Sequence, residues 1–306
     1  MPRVPLRRTA AYTNRYMKST KKAYAKINLY LDVMAKREDG YHDIKSVMLQ
    51  VGLYDEVTVE RDGGADIRLL DLCGELPDGE ENIAYRCADA SLRHYDLREG
   101  VSIRLKKRIP IAAGLGGGSS DGAAVLSAMA ELFADTIPTD LDTLCAIGST
   151  VGADIPFCIV GGCAKTLGIG DRITPLDYRP RYTIVLARGG EGVSTPQAYR
   201  LLDKRYGDSL ASDFGDFEGF LASLAHDDRL PRHMHNTFES VILPLHPEAA
   251  HIHRLLRDKG GVPLMSGSGP TVFGIFSDKD AAEAAEREIR SKQLAKQTYI
   301  TRPYNL

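Results

Sequence analysis

The chain has 306 residues, is 43% apolar and 26% charged, and carries a formal net charge of −2. That length suggests about two domains with room for a sizeable core, and the charge balance argues against a nucleic-acid-binding surface as the main business of the protein. No apolar run approaches the roughly 18 residues of a membrane span, and five scattered cysteines (Cys73, Cys87, Cys145, Cys158, Cys163) without a Cys-x-x-Cys pair argue against a disulfide framework or zinc site and for a reducing, cytoplasmic setting.

Met1 to Lys22 carries seven Lys or Arg, and the first acidic residue is Asp32. Residues 1–16 are read as a basic extension outside the domains, with organelle targeting as the rival reading. Lys22 to Val33 alternates apolar and polar residues and predicts a strand. Alternation puts Ile27, Leu29 and Leu31 on one face and Lys26, Asn28 and Tyr30 on the other. A polar turn (Lys36 to Gly40) leads through Tyr41-His42-Asp43 into strands at Ser46 to Val51 and Val57 to Glu60. Gly63 to Pro77 reads as a turn and an edge strand, and Asn82 to Tyr95 has helical spacing.

Val101 to Leu105 predicts a strand feeding the most distinctive stretch of the chain. From Gly114 to Gly118, four of five residues are glycine; Ser119-Ser120 follows, then a helix-like apolar run from Ala123 to Phe133. Glycine lets an anion approach the backbone closely, and a helix start offers unpaired N–H groups and a favourable dipole. This is not a Walker A loop, because no Gly-Lys dipeptide occurs. Nor is it a dinucleotide fingerprint, because Ser119 stands where the third glycine belongs.

Leu141 to Val151 predicts a helix capped by Thr139 or Asp140. Asp154 then sits in a small-residue loop, where most aspartates serve turns or caps, and Pro156 forbids a regular ladder after it. The second half predicts a strand at Tyr182 to Ala187, a helix at Gln197 to Lys204, and short polar surface helices over Arg205 to Arg232. A helix follows at His246 to Asp258, ending at Gly260-Gly261. Leu264 to Phe276 is a second Gly/Ser loop entering an apolar strand. A helix (Asp280 to Lys292) and a strand (Gln297 to Thr301) close the chain. Strands and helices mix without regular βαβ alternation, which favours α+β, with domains at 17–178 and 179–306.

Phosphoryl transfer needs held phosphates, neutralised charge and a group to orient or deprotonate the acceptor. The glycine loop supplies the first. Lys26 and Lys107 are candidates for the charge, with Mg²⁺ as helper, and Asp154 for the base. A hydrolase has no Gly-x-Ser-x-Gly elbow to start from, and the i, i+2 pairs His233/His235 and His251/His253 are poor metal sites on a helix.

Several motifs together resemble the GHMP kinase family, which includes galactokinase, homoserine kinase and mevalonate kinase. Pro110-Ile111-Ala112-Ala113-Gly114-Leu115-Gly116-Gly117-Gly118-Ser119-Ser120 is similar to its phosphate loop. Four further motifs resemble the branch acting on a cytidine-diphosphate-linked methylerythritol: Ala25-Lys26-Ile27-Asn28-Leu29, Asp39-Gly40-Tyr41-His42, Gly152-Ala153-Asp154-Ile155-Pro156-Phe157 and Gly192-Val193-Ser194-Thr195-Pro196. Met265 to Thr271 adds to it, and the match runs in order from about Lys22 to Phe276. The resemblance implies an N-terminal α+β domain of ribosomal-protein-like topology, a ferredoxin-like C-terminal domain, and an active site between them. It implies ATP as co-substrate, Mg²⁺ as helper, and phosphorylation of the 2-hydroxyl of that small molecule in the non-mevalonate route to isoprenoids. It makes Lys26 and Asp154 the catalytic pair, sets Asn28 to place the acceptor, and assigns Tyr41, His42 and Tyr199 to the cytosine. It wraps residues 110–120 around the ATP phosphates, with Asn82 and Lys107 near the nucleotide and Ser119 and Ser120 near the metal. From the charge balance and the lack of a long apolar run, no nucleic-acid or membrane partner is expected, and a monomer or weak homodimer is expected. A homoserine or mevalonate kinase and an idle ATP-binding module are the alternatives. One departure stands out: Asn236-Thr237-Phe238-Glu239 replaces the family's usual Asn-Asp-Leu/Phe-Glu.

Overall fold

The computed structural model describes residues 17–71, 74, 76–137, 140–207, 210, 214–225 and 231–304. The basic arm, Cys73 and Thr139 lie outside them. β1 (Lys18–Lys36) and β2 (His42–Arg61) form a long antiparallel hairpin. One half of β2 pairs with β4 (Val101–Lys106), whose other edge carries β3 (Ile67–Asp71) in parallel. The other half pairs with β5 (Cys163–Leu167), itself paired with β6 (Arg172–Leu176). β7 (Thr183–Arg188), β9 (Val262–Met265), β10 (Thr271–Phe276) and β11 (Gln297–Thr301) make a four-stranded antiparallel sheet in the order β11-β7-β10-β9. A two-residue strand, β8 (His235–Asn236), leaves the second half of the chain and joins β1 in parallel.

Alternation along these strands builds a four-layer sandwich. Val57, Val59, Ile103 and Leu105 of the first sheet pack beneath helices α1 (Ile83–His94), α2 (Gly117–Leu132), α3 (Leu141–Ser149) and α4 (Ile155–Val160). Ile27, Leu29, Leu49 and Val51 meet Ile184, Leu186, Phe273 and Ile275 of the second sheet, face to face. The outer face of that sheet, Val185, Ala187, Val272 and Phe276, is covered by α8 (Pro247–Asp258) and α9 (Lys279–Ser291). Helices α5 (Thr195–Tyr206), α6 (Phe217–Ser223) and α7 (Glu239–Ile242) flank the junction.

Two expectations change here. The register of β1 slips between Tyr24 and Lys26 and again between Asn28 and Tyr30. A bulge moves every later side chain to the other face. Tyr30 therefore leaves the face of Lys26 and Asn28 and packs on Phe217 and Phe220, with ring centroids 5.0 and 5.2 Å away. Leu31 takes its place beside the polar pair. The stretch expected to be polar surface also contributes to the core, because α6 buries Phe217 and Phe220 against the sheet. Asp140 caps α3, accepting a hydrogen bond from the Thr143 N–H at 2.8 Å. Among the described residues no helix is long and apolar enough to cross a membrane.

Candidate active site

The glycine loop joins β4 to α2, and its path is set by backbone that only glycine adopts easily. Gly114 and Gly116 have φ of +75° and +68°. A Cβ on Gly114 would lie 2.1 Å from the Ser266 carbonyl oxygen, and one on Gly116 would strike the Lys26 stem at 2.8 Å. The loop is clasped from both sides. Leu115 O accepts from the Lys26 N–H at 2.9 Å, and the Ser266 hydroxyl donates to Gly114 O at 2.9 Å. Gly116 occupies the N-cap of α2 without a side-chain cap, so the first N–H groups of the helix have no side-chain partner.

The second Gly/Ser loop is pinned in turn by Asn236. Its buried amide donates to the carbonyls of Met265 and Gly267 at 2.7 and 2.9 Å and accepts from the Phe238 N–H. Glu239 accepts from the Met265 N–H at 2.8 Å. Thr237, the departure from the family pattern, donates to the buried carboxylate of Asp32 at 2.8 Å. The segment thus buckles the second Gly/Ser loop to β1, a role that its sequence did not announce.

These loops open a cavity of about 830 Å³, within the usual range for small-molecule sites. Lys26, Asn28, Tyr41, His42, Asn82, Lys107, Asp154, Tyr199 and every residue from Pro110 to Ser119 line it. Ser120 does not: it is buried and its hydroxyl donates to Tyr24 O at 2.6 Å. A metal contact through Ser120 therefore does not fit, whereas Ser119 faces the cavity.

At the centre, Lys26 Nζ donates to Asn28 Oδ1 at 2.8 Å and stands 3.3 Å from Asp154 Oδ2. Asn28 is held by its own donation to Ser46 Oγ at 2.9 Å, and Ser46 is anchored to Tyr30 O at 2.7 Å. Asp154 occupies the N-cap position of α4 but makes no capping hydrogen bond. Its carboxylate is left to Lys26 and the cavity.

Lys107 is not a free cation. Its buried ammonium pairs with Asp55 and Asp121. Burial opposes the charge on Lys107, and the two carboxylates more than offset it, so its pKa rises. Burial, with Asp55 adding to it and Lys107 opposing it, pushes Asp121 up to about 7. Asp55 also accepts from the N–H groups of Arg108 and Ile109. The cluster ties β2 to the start of the loop and to α2. Asn82 is likewise committed, capping α1 by accepting from the Ala84 N–H at 2.9 Å. Neither Asp55 nor Asp121 was singled out from sequence, although Asp121 directly follows the loop.

At the far end, His42 stacks on Tyr199, centroids 4.9 Å apart and rings 21° from parallel. Tyr41 is 61% exposed at the rim. Burial, aided by the Asp154 charge, pushes the Tyr199 phenol up to about 12, so it stays neutral. His42 Nε2 lies 2.8 Å from Asp203 Oδ1, and Lys36 Nζ lies 2.7 Å from Asp203 Oδ2. Asp203 also escaped the sequence reading; its i+4 spacing from Tyr199 on a predicted helix was the available signal.

The chain matches the GHMP kinases N terminal domain over residues 82–162 and the GHMP kinases C terminal family over 210–296. The 4-diphosphocytidyl-2-C-methyl-D-erythritol kinase of Lachnospira eligens is 38% identical over 286 residues, covering 92% of this chain and 97% of its own. That of Shouchella clausii is 42% identical over 268 residues, covering 85% and 86%. A crystal structure of 4-(cytidine 5'-diphospho)-2C-methyl-D-erythritol kinase superposes with a TM-score of 0.75 at 34% identity, covering 94% of this chain and 100% of that one. The homoserine kinase of Cytophaga hutchinsonii shares the fold, with a TM-score of 0.76 at 20% identity and 95% and 96% coverage. With both GHMP domains in place around one cavity, and with these relatives matching nearly end to end, the chain belongs to the 4-diphosphocytidyl-2-C-methyl-D-erythritol kinase family of GHMP kinases.

Proposed function

We infer that the chain transfers the γ-phosphoryl group of ATP to the 2-hydroxyl of 4-diphosphocytidyl-2-C-methyl-D-erythritol, a step of the non-mevalonate route to isoprenoids. The observation that carries this reading is the Lys26–Asp154 pair, 3.3 Å apart, set between a glycine loop at one end of the cavity and a stacked His42–Tyr199 pair at the other. The loop N–H groups at the start of α2 bind the ATP phosphates. Asp154 accepts the proton of the acceptor hydroxyl, a role worth about 10²–10⁴-fold in rate. Lys26, aimed by Asn28, neutralises charge on the forming alkoxide and the transferring group. His42, Tyr199 and Tyr41 receive the cytosine, which leaves the methylerythritol end near the catalytic pair. Lys107 and Asn82 hold the nucleotide end of the cavity in shape rather than binding charge directly.

Mg²⁺ fits this donor set only as an ion carried by the nucleotide. The described residues contain no group of three or more His, Cys, Asp or Glu able to hold a metal, and Ser119 is the serine hydroxyl of the loop that lines the cavity. Bound through phosphate oxygens, water and Ser119, it would neutralise charge on the phosphates.

The test is ATP consumption with the cytidylated methylerythritol beside mevalonate and homoserine. Turnover is expected with the first alone. Turnover with either control and none with the first would overturn the reading.

A further inference from the structure

The cytidine end of the cavity contains a pair of charged groups that the phosphoryl transfer does not use. Lys36, on the last turn-ward residue of β1, pairs with Asp203 of α5 at 2.7 Å. Asp203 then faces His42 Nε2 at 2.8 Å. The His42 side chain is only 3% exposed, and Tyr199, one helical turn before Asp203, lies flat against its ring. One helix therefore supplies both the plate that restrains the imidazole and the acceptor that faces one of its nitrogens. Burial would raise the Asp203 carboxyl, but the hydrogen bonds from Lys36 and His42 hold it below the usual carboxylate range. An ionised carboxylate accepts and cannot donate.

We propose that Asp203 is a specificity-positioning residue: it keeps the His42 proton on Nε2, so that Nδ1 is presented as an acceptor that selects a pyrimidine bearing an amino group at C4 over one bearing a carbonyl. The proposal rests on the cytidine reading given above. The chemistry is a matter of donor and acceptor matching. Cytosine offers an N–H donor at that position, whereas uracil, like thymine, offers an oxygen acceptor. An acceptor nitrogen rewards the first and leaves two lone pairs opposed with the second. Lys36 sharpens the selection in a second way. If residue 203 carried an amide, the ammonium would claim its oxygen and turn the NH₂ toward His42. The imidazole would then accept at Nε2 and donate from Nδ1, which is the pattern that uracil fits.

The experiment is competition by CDP and by UDP against the cytidylated acceptor at pH 8, in the wild type, Asp203→Asn and Asp203→Glu. Wild type should bind CDP about tenfold or more tightly than UDP, the scale of one mismatched hydrogen bond. Asp203→Asn should bring the two within about threefold or reverse them, and raise KM for the cytidylated acceptor about tenfold, with kcat and KM for ATP unchanged. Asp203→Glu should recover part of the CDP preference. An unchanged CDP/UDP ratio in Asp203→Asn would overturn the proposal, as would a parallel loss of kcat, ATP affinity and melting temperature, which marks a merely structural residue. Equal inhibition of the wild type by CDP and UDP would instead remove the cytidine reading itself, and the proposal with it.

Discussion

Asp121→Asn isolates the buried charge cluster beneath the glycine loop. Asp121 is 3% exposed and shares the Lys107 ammonium with Asp55. Its carboxyl is raised from 3.8 to about 7, with burial as the first cause. In the folded chain it therefore holds a proton that the unfolded chain has already released near pH 4. Folding stability from this group is complete below that pH and is lost as pH rises toward and through 7. A displacement of about three units, at 1.36 kcal/mol each, sets the swing at on the order of 4 kcal/mol. Asparagine keeps the shape and an oxygen for Lys107, but it does not titrate. Urea unfolding at pH 5, 6, 7 and 8 reads the difference. The wild type should lose ground to Asp121→Asn at each step up to about pH 8, and the gap should level off above it. Parallel pH profiles for the two proteins would refute the account, because they would mean that Asp121 titrates alike in folded and unfolded chains.

Asp154→Ala should keep ATP binding, read by calorimetry, and lose at least about two orders of magnitude in kcat; a fully active variant would strip Asp154 of its role. Asn28→Ala removes the oxygen that aims Lys26 and the donor to Ser46, so steady-state kinetics should show kcat down by roughly 10- to 100-fold with KM for ATP little changed. Gly114→Ala places a Cβ at φ +75° within 2.1 Å of Ser266 O; the two loops must part, and the melting temperature and ATP affinity should fall together. Asn236→Ala leaves the carbonyls of Met265 and Gly267 without their amide donor in a buried site, which should cost about 1–3 kcal/mol in denaturant unfolding.

Much of the site was legible in advance because it is written locally. The glycine loop, its following helix and the Lys26/Asn28 alternation are short-range features, and Lys26, Asn28, Asp154, His42, Tyr199 and residues 110–119 do meet around one cavity. The misreadings have a common origin in long-range pairing. Lys107 looked like a phosphate ligand until Asp55 and Asp121, 52 and 14 residues away, claimed its ammonium. Ser120 looked like its neighbour Ser119 until β1 took its hydroxyl. Tyr30 looked polar-faced because strict alternation cannot foresee a bulge, and a bulge is set by the partner strand rather than by the bulged residues alone.

The order and type of the elements, the glycine loop and the residue types of the proposed catalytic pair are determined by the sequence itself, since each depends on propensity, spacing or the special backbone freedom of glycine. Tertiary structure decided which of the charged residues are available for chemistry. Lys26 and Lys107 are both buried lysines near the loop, yet one is left with a carbonyl and a carboxylate at 2.8 and 3.3 Å, and the other is enclosed by two carboxylates. It likewise decided that Asp203 should face His42 and that Asn236 should pin the Gly/Ser loop at Met265 and Gly267. Charge and hydrogen bonding act over a few ångströms in space whatever the separation along the chain, so these assignments exist only once elements distant in sequence have packed together.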